Sequence, residues 1–152
     1  MQIWIDADAC PFDIKELIFR AAKRTQIKVT LVANQSMNVP PGELFSTILV
    51  RDGANIADQR LVELLGPGDL VITADIPLAA QVVEKGGQAL DPRGTLYSHA
   101  NVGARLAMRD FSEGQRAAGL QTRGPNAFTA KNRQDFANHL DRWLTAAKKA
   151  NG

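Results

Sequence analysis

Cysteine is nearly absent from this sequence of 152 residues, in which Cys10 is the single example. Histidine is also rare, with two residues. A single cysteine excludes an internal disulfide framework, and with two distant histidines it cannot form a zinc site of the usual kind. With 45% hydrophobic residues, the chain is long enough to bury a core without such links. We expect Cys10 to be a small buried thiol, because no histidine lies near it in the sequence to activate it.

Long apolar runs and a targeting segment are also lacking. The N-terminus reaches Asp6 without the basic and apolar regions of a signal peptide. No run approaches the roughly 20 apolar residues that a membrane helix needs. A lone cysteine is typical of a reducing compartment, so we expect a cytoplasmic protein that does not enter membranes.

Strong net charge is absent as well, at +2, but the distribution of charge is uneven. The last third of the chain is basic, which predicts a polyanionic partner unless these side chains only form a solvated helix face. Its cations include Arg116, Arg123, Lys131, Arg133, Arg142, Lys148 and Lys149.

Short apolar segments alternate with segments of helical periodicity. Strands are predicted at residues 2–5, 27–33, 47–50, 69–73 and 89–90. Helices are predicted at 11–24, 56–65, 76–85 and 105–116, and from an N-cap at Thr129 to about Lys148. This alternation predicts a single α/β domain over residues 1–152, a three-layer α/β/α sandwich with a mostly parallel sheet and a helical part from about residue 100.

Acidic residues follow two of the predicted strands. Asp6 and Asp8 follow the first strand, Asp75 follows the fourth, and Asp58 lies near the start of a helix. Ligands of open parallel sheets bind at the carboxyl ends of strands, where clustered carboxylates repel each other unless a cation neutralises them. Oxygen ligands of this kind favour Mg²⁺ or Mn²⁺. These four residues are therefore predicted metal ligands. Helix capping or a turn is the alternative for Asp8 and Asp75, and a capping or solvated role is the alternative for Asp58.

Other polar residues are candidates for holding a phosphate-containing substrate. Asn34 and Ser36 follow the second strand, and Thr73 could orient an acid or a water molecule. Guanidinium groups bind phosphates bidentately, although turn roles and surface ion pairs are the plainer alternatives. The arginines in question are Arg93, Arg105 and Arg109.

Five stretches of the chain together resemble the YaiI/YqxD family of bacterial proteins: residues 4–11, 31–36, 57–58, 69–79 and 108–111. That family is regarded as PIN-like, which implies the strand order 3-2-1-4-5 and a metal-dependent ribonuclease-type site. Carried over residue by residue, the PIN acids fall on Asp6, Asp58 and Asp75, as the catalytic residues. Many PIN nucleases have a further acid two residues after the last of these. Here Pro77 stands at that place, and Asp8 could supply the missing charge.

Three functions remain open at this point. The first is a Mg²⁺- or Mn²⁺-dependent phosphodiesterase that acts on RNA or another nucleic acid. The second is a haloacid-dehalogenase-like phosphatase, because Asp6-Ala7-Asp8 after an apolar strand matches the first motif of that superfamily, with Asp6 as the nucleophile. The third is a non-catalytic nucleic-acid-binding domain, which Pro77 and the weak basic patch would suit.

Overall fold

A computed structural model describes residues 1–50, 54–117 and 129–151 of the chain, with side chains except at residues 9, 54–55, 57, 109–117 and 151. The strands are β1 (Ile3–Asp6), β2 (Val29–Ala33), β3 (Phe45–Leu49), β4 (Leu70–Ile72), β5 (Gln88–Leu90) and β6 (Leu96–Tyr97). The helices are α1 (Phe12–Thr25), α2 (Ala54–Leu64), α3 (Ile76–Glu84), α4 (His99–Ala117) and α5 (Ala130–Asn151). A 3-10 turn at Ala7–Ala9 joins β1 to α1.

The strands form one sheet in the order β3-β2-β1-β4-β5-β6. The first five strands are parallel, and β6 pairs with β5 in the antiparallel direction. The order 3-2-1-4-5 that the resemblance implied is therefore confirmed, while β6 was not predicted. The strand order reverses between β1 and β4, so the ends of these two neighbours mark the switch point where open α/β sheets bind ligands. The edge where the parallel strands end is called the carboxyl edge below.

The central strands are buried on both faces, as parallel sheets usually are. Alternate residues point to opposite sides: Ile3 and Ile5 of β1 join the core beneath α1 and α5, and Trp4 joins the core beneath α2 and α3. Val102 of α4 packs against the second core. The predicted three-layer α/β/α sandwich is thus confirmed. Among the described residues, no helix has the length and apolar character needed to cross a membrane.

Some predicted boundaries were wrong. α4 begins at His99, not at residue 105, because the Asn101 side chain accepts a hydrogen bond from Ser98 N at 2.9 Å and closes the first turn. β2 begins at Val29, two residues later than predicted, and β3 at Phe45, two residues earlier. The predicted cap of α5 is confirmed, since Thr129 Oγ1 accepts from Asn132 N at 3.1 Å. The loop predicted at 119–125 lies outside the described residues.

Asp69 locks the opposite, amino edge of the sheet. Its carboxylate is only 5% exposed and accepts three hydrogen bonds at 2.9–3.0 Å. The donors are the backbone N–H groups of Gln2 and Gly66 and the indole N–H of Trp4. One buried acid therefore joins β1, the start of β4 and the turn after α2. Both of its carboxylate oxygens accept hydrogen bonds in this structural role.

We expect Asp69→Asn to lower the free energy of unfolding by about 2–3 kcal/mol. All three partners are donors, so the amide N–H₂ of asparagine would face another donor in a buried site. Urea unfolding measures the change. The control is Asp141→Asn, because Asp141 forms only an exposed ion pair with Arg24, and such pairs contribute about 0–1 kcal/mol. Equal effects of the two substitutions would contradict the structural role of Asp69.

Candidate functional site

Asp6 ends β1 at the switch point and is held there by Thr73. Thr73 lies directly after β4, is 1% exposed, and donates its hydroxyl hydrogen to Asp6 Oδ2 at 2.9 Å. Burial raises the pKa of Asp6, the bond from Thr73 opposes that shift, and the nearby charges of Asp75 and Asp8 add to it. Thr73 therefore orients an acid, as predicted, and its hydroxyl is committed within the protein.

Asp75 and Asp58 meet beside Asp6. Asp75 caps α3 by accepting from Leu78 N at 3.2 Å, and its own backbone N–H donates to the Thr73 hydroxyl at 3.0 Å. Asp58 comes from α2 and forms a side-chain hydrogen bond with Asp75. Burial, followed by the charges of Asp75 and Asp6, raises the pKa of Asp58 to about 7. Because two carboxyl groups can share a hydrogen bond only if one is protonated, Asp58 is the member that holds the proton.

Asp6, Asp58 and Asp75 thus form one electrostatically coupled group, called the carboxylate cluster below. The charges of Asp75 and Asp8 act on Asp6, and those of Asp75 and Asp6 act on Asp58. In the part of the chain that the structure describes, however, no three histidine, cysteine, aspartate or glutamate side chains are spaced to share a metal ion. The role of these four acids as metal ligands therefore stays a prediction.

Asp8 stands apart from the cluster. It is exposed in the 3-10 turn, and its Oδ2 accepts from Asn34 N at 2.9 Å, which ties the end of β1 to the end of β2. The side-chain Oδ1 of Asn34 is buried and has no hydrogen-bond partner among the described residues. Asp8 therefore has the turn-stabilising contact that was its alternative role, and its charge still reaches Asp6.

Sequence reasoning missed a further acid at this edge. Asp91 follows β5 directly, and its carboxylate accepts from the Tyr97 hydroxyl at 3.3 Å and from Arg93 N at 2.6 Å. Burial and the charge of Asp91 raise the pKa of Tyr97 to about 12, so the phenol stays protonated. The guanidinium carbon of Arg105 lies 5.9 Å from the centre of the Tyr97 ring. Its position directly after a buried strand could have indicated Asp91 as a site residue. Residues 91–94, however, have the pattern of a turn, and a turn role was the simpler interpretation of this aspartate.

The other predicted contact residues have mixed placements. Ser36 is exposed in the loop after β2, and Arg93 belongs to the half-buried turn after β5. Arg109 lies on α4, but its side chain is outside the described part. Cys10 is buried, which raises its pKa to about 12, so the prediction of an unreactive buried thiol is confirmed.

The basic C-terminal helix borders the carboxyl edge only at its start. Arg133 pairs with Asp13 in the first turn of α1 at 3.6 Å, whereas Asp141 pairs with Arg24 near the end of α1. The two helices therefore run in parallel, and α5 leaves the carboxyl edge after its first turns. Lys148, near the other end of α5, lines a cavity with Arg24 and Thr25 at the far end of α1 and so lies away from the acids.

The raised pKa of Asp58 predicts a pH dependence of stability in metal-free buffer. An acid whose pKa rises from 3.8 to about 7 on folding contributes its full stability below pH 3.8, and this contribution is lost as the pH rises through about 7. We therefore expect the melting temperature in EDTA to fall between about pH 4 and 7. Asp58→Asn should flatten this slope, and Asp13→Asn, an exposed control on α1, should leave it unchanged. An unaltered slope in Asp58→Asn would contradict the coupling.

Comparisons with known proteins agree with the earlier resemblance. A family model described as "Uncharacterized BCR, YaiI/YqxD family" matches residues 4–146. A UPF0178 protein of Pectobacterium carotovorum is 57% identical over 149 residues, covering 98% of this chain and 99% of the relative. A UPF0178 protein of Klebsiella pneumoniae is 56% identical over 152 residues, covering all of both chains. No solved structure matches significantly. The chain therefore belongs to the YaiI/YqxD family, whose curated members carry the name UPF0178.

Proposed function

We propose that this protein is a divalent-cation-dependent phosphodiesterase that acts on RNA, with the carboxylate cluster as its catalytic centre. The observation that carries the proposal is the coupling of Asp6, Asp58 and Asp75 at the switch point of the sheet. Strongly perturbed acids that converge in this way are more common at functional sites than in purely structural networks. The cluster also contains the three acids that the PIN-like resemblance would assign to catalysis.

The donor set suits Mg²⁺ or Mn²⁺, because carboxylate oxygens are hard ligands. To hold an ion together, Asp58 and Asp75 would have to give up the proton that they share, and Asp58 would then bind as a carboxylate. Thr73 and Leu78 N, which already hold Asp6 and Asp75, would keep these two ligands in place. A bound ion would polarise a phosphate oxygen and make a bound water more acidic.

The chain itself can move a proton near neutral pH. With a pKa of about 7 in the metal-free protein, Asp58 is balanced between its two protonation states, so near neutral pH it can release its proton when an ion binds. Tyr97, in contrast, stays protonated and its hydroxyl donates a hydrogen bond to Asp91, so its role is to orient neighbouring groups.

Arg105 is the described cation best placed to hold a phosphate. Its guanidinium lies over the Tyr97 ring, and that ring is fixed by the bond to Asp91. The charge of Asp75 acts on Tyr97, which supports a position of this ring and of Arg105 near the cluster. A guanidinium that is stacked in this way still offers its edge to a phosphate for bidentate binding.

Divalent cations should stabilise the fold through the cluster. At an ion concentration one hundred times the dissociation constant, a site present only in the native state adds about 2.7 kcal/mol to the free energy of unfolding. We expect millimolar Mn²⁺ or Mg²⁺ to raise the melting temperature of the wild type but not of Asp6→Asn or Asp75→Asn. Asp141→Asn is the control and should respond like the wild type. A flat response of the wild type would contradict the proposed site.

Cleavage of single-stranded RNA in Mn²⁺ or Mg²⁺ should fall at least about a hundredfold in Asp6→Asn and Asp75→Asn, because each loses a ligand charge. Circular dichroism establishes that both variants are folded. Wild-type rates in both variants would contradict the proposal. A phosphoryl group trapped on Asp6 would support the haloacid-dehalogenase-like phosphatase instead, and RNA binding that survives EDTA without turnover would support the non-catalytic domain.

A further inference from the structure

The first helix presents an aromatic ring to solvent beside the site. Phe12, the first residue of α1, is 70% exposed, which is the highest value among the large apolar side chains that the structure describes. The other described phenylalanines, Phe19, Phe45 and Phe136, are all buried. Phe19 and Phe45 pack edge to face with their ring centres 5.4 Å apart. Phe12 is therefore the one exposed phenylalanine among those whose side chains the structure describes.

The fold gives no reason for this exposure. The buried face of α1 is formed by Ile14, Ile18, Phe19, Ala21 and Ala22, and Phe12 does not belong to it. Phenylalanine is only a moderate helix former, so a polar residue would suit an exposed first turn at least as well. A single exposed apolar residue is common on protein surfaces, and it is the surroundings of Phe12 that indicate a role.

Phe12 lies close to the proposed catalytic centre. Asp6 and Phe12 are six positions apart in the sequence, so their Cα atoms are at most about 20 Å apart even in an extended chain. The 3-10 turn at Ala7–Ala9 makes the actual path shorter. A short oligonucleotide whose phosphate lies at the cluster could thus place a neighbouring base on the ring.

The first turns of α1 and α5 carry cations and acids in nearly equal number. Lys15, one turn along α1, places its Nζ 3.8 Å from Met37 Sδ in the loop after β2. On the other side, Arg133 of α5 pairs with Asp13. Lys131 pairs with Asp135 at 2.8 Å, and Glu16 is exposed on α1. Since these charges nearly cancel, stacking must supply much of any affinity for a nucleic acid here.

We propose that Phe12 is a base-stacking residue, on which an unpaired base of a single-stranded nucleic acid lies while its backbone reaches the carboxylate cluster. This inference rests on the proposed function, because it takes the cluster as the place where the phosphate binds. Many proteins bind single strands through exposed aromatic rings, since every base has a face that can stack. Paired bases are already stacked on each other, so a duplex cannot use the ring in this way.

The test measures the binding of a fluorescent single-stranded RNA octamer by anisotropy, at low salt in Ca²⁺, an oxygen-preferring cation that can occupy the cluster in place of Mg²⁺ or Mn²⁺. Gel analysis of the octamer after the titration establishes that it is still intact. We expect Phe12→Ala to weaken binding about five- to tenfold, the lower part of the range for base stacking on an aromatic side chain. Phe12→Trp should retain the affinity, and its indole fluorescence should be quenched by the RNA. The native Trp4 and Trp143 are buried and give a constant background.

The matched control is Leu64→Ala. Leu64 is also exposed, at 40%, but it ends α2 next to the turn that Asp69 holds at the amino edge, far from the cluster. This variant should bind the octamer like the wild type. An octamer with abasic sites should bind the wild type and Phe12→Ala equally, because no base is left to stack. A salt dependence shallower than that of a basic groove should accompany the binding.

Unchanged affinity in Phe12→Ala, or an equal loss for the abasic octamer, would overturn the stacking role. Failure of the wild type to bind the octamer would overturn it as well. Cleavage in Mn²⁺ or Mg²⁺ is measured separately. If the wild type cleaves RNA in the presence of metal but Phe12→Ala binds it normally, the proposed function is supported and the stacking role of Phe12 is contradicted. If binding depends on Phe12 but no cleavage occurs, the stacking role is supported and the proposed phosphodiesterase activity is contradicted.

Discussion

The crowding of three acids at the switch point of the sheet is the constraint on which the carboxyl edge depends. β1 and β4 are neighbours, so Asp6 and Asp75 must end close together, and α2 brings Asp58 to the same place. Three carboxylates cannot remain fully ionised at such a point without a compensating charge. Protonation of Asp58, whose pKa is raised to about 7, and the Thr73 hydroxyl on Asp6 provide that compensation in the metal-free protein. A divalent cation would provide it more completely.

The two edges of the sheet use aspartate in opposite ways. Asp69 at the amino edge is buried, and its oxygens are matched by three N–H donors, which makes it a structural residue. At the carboxyl edge the acids face one another with fewer donors, an arrangement that costs free energy and that a bound cation would relieve. Proteins commonly give up stability at functional sites in this way. The contrast separates structural acids from candidate catalytic acids better than sequence position does.

Much of this site was predictable because it lies where parallel strands end. The five parallel strands were each predicted, and Asp6, Asp75 and Thr73 followed from them. Asp58 was included because its helix begins at the same edge, but its hydrogen bond to Asp75 depends on how α2 crosses the sheet, which no local pattern encodes. Asp91 was missed because residues 91–94 have the pattern of a turn, and Tyr97 because β6 has only two residues, too few to show alternation. Phe12 was missed because periodicity shows which residues are buried and not why one is left exposed.

The central claim is that the carboxylate cluster exchanges its shared proton for a divalent cation. Calorimetric titration of the wild type with Mn²⁺ at about pH 6.5, in two buffers that differ in ionisation enthalpy, measures the protons released on binding. The account predicts release of up to about one proton per site in the wild type, and little or none in Asp58→Asn, where no titratable group remains at that position. Absence of Mn²⁺ binding, or binding by the wild type with no proton release, would contradict it.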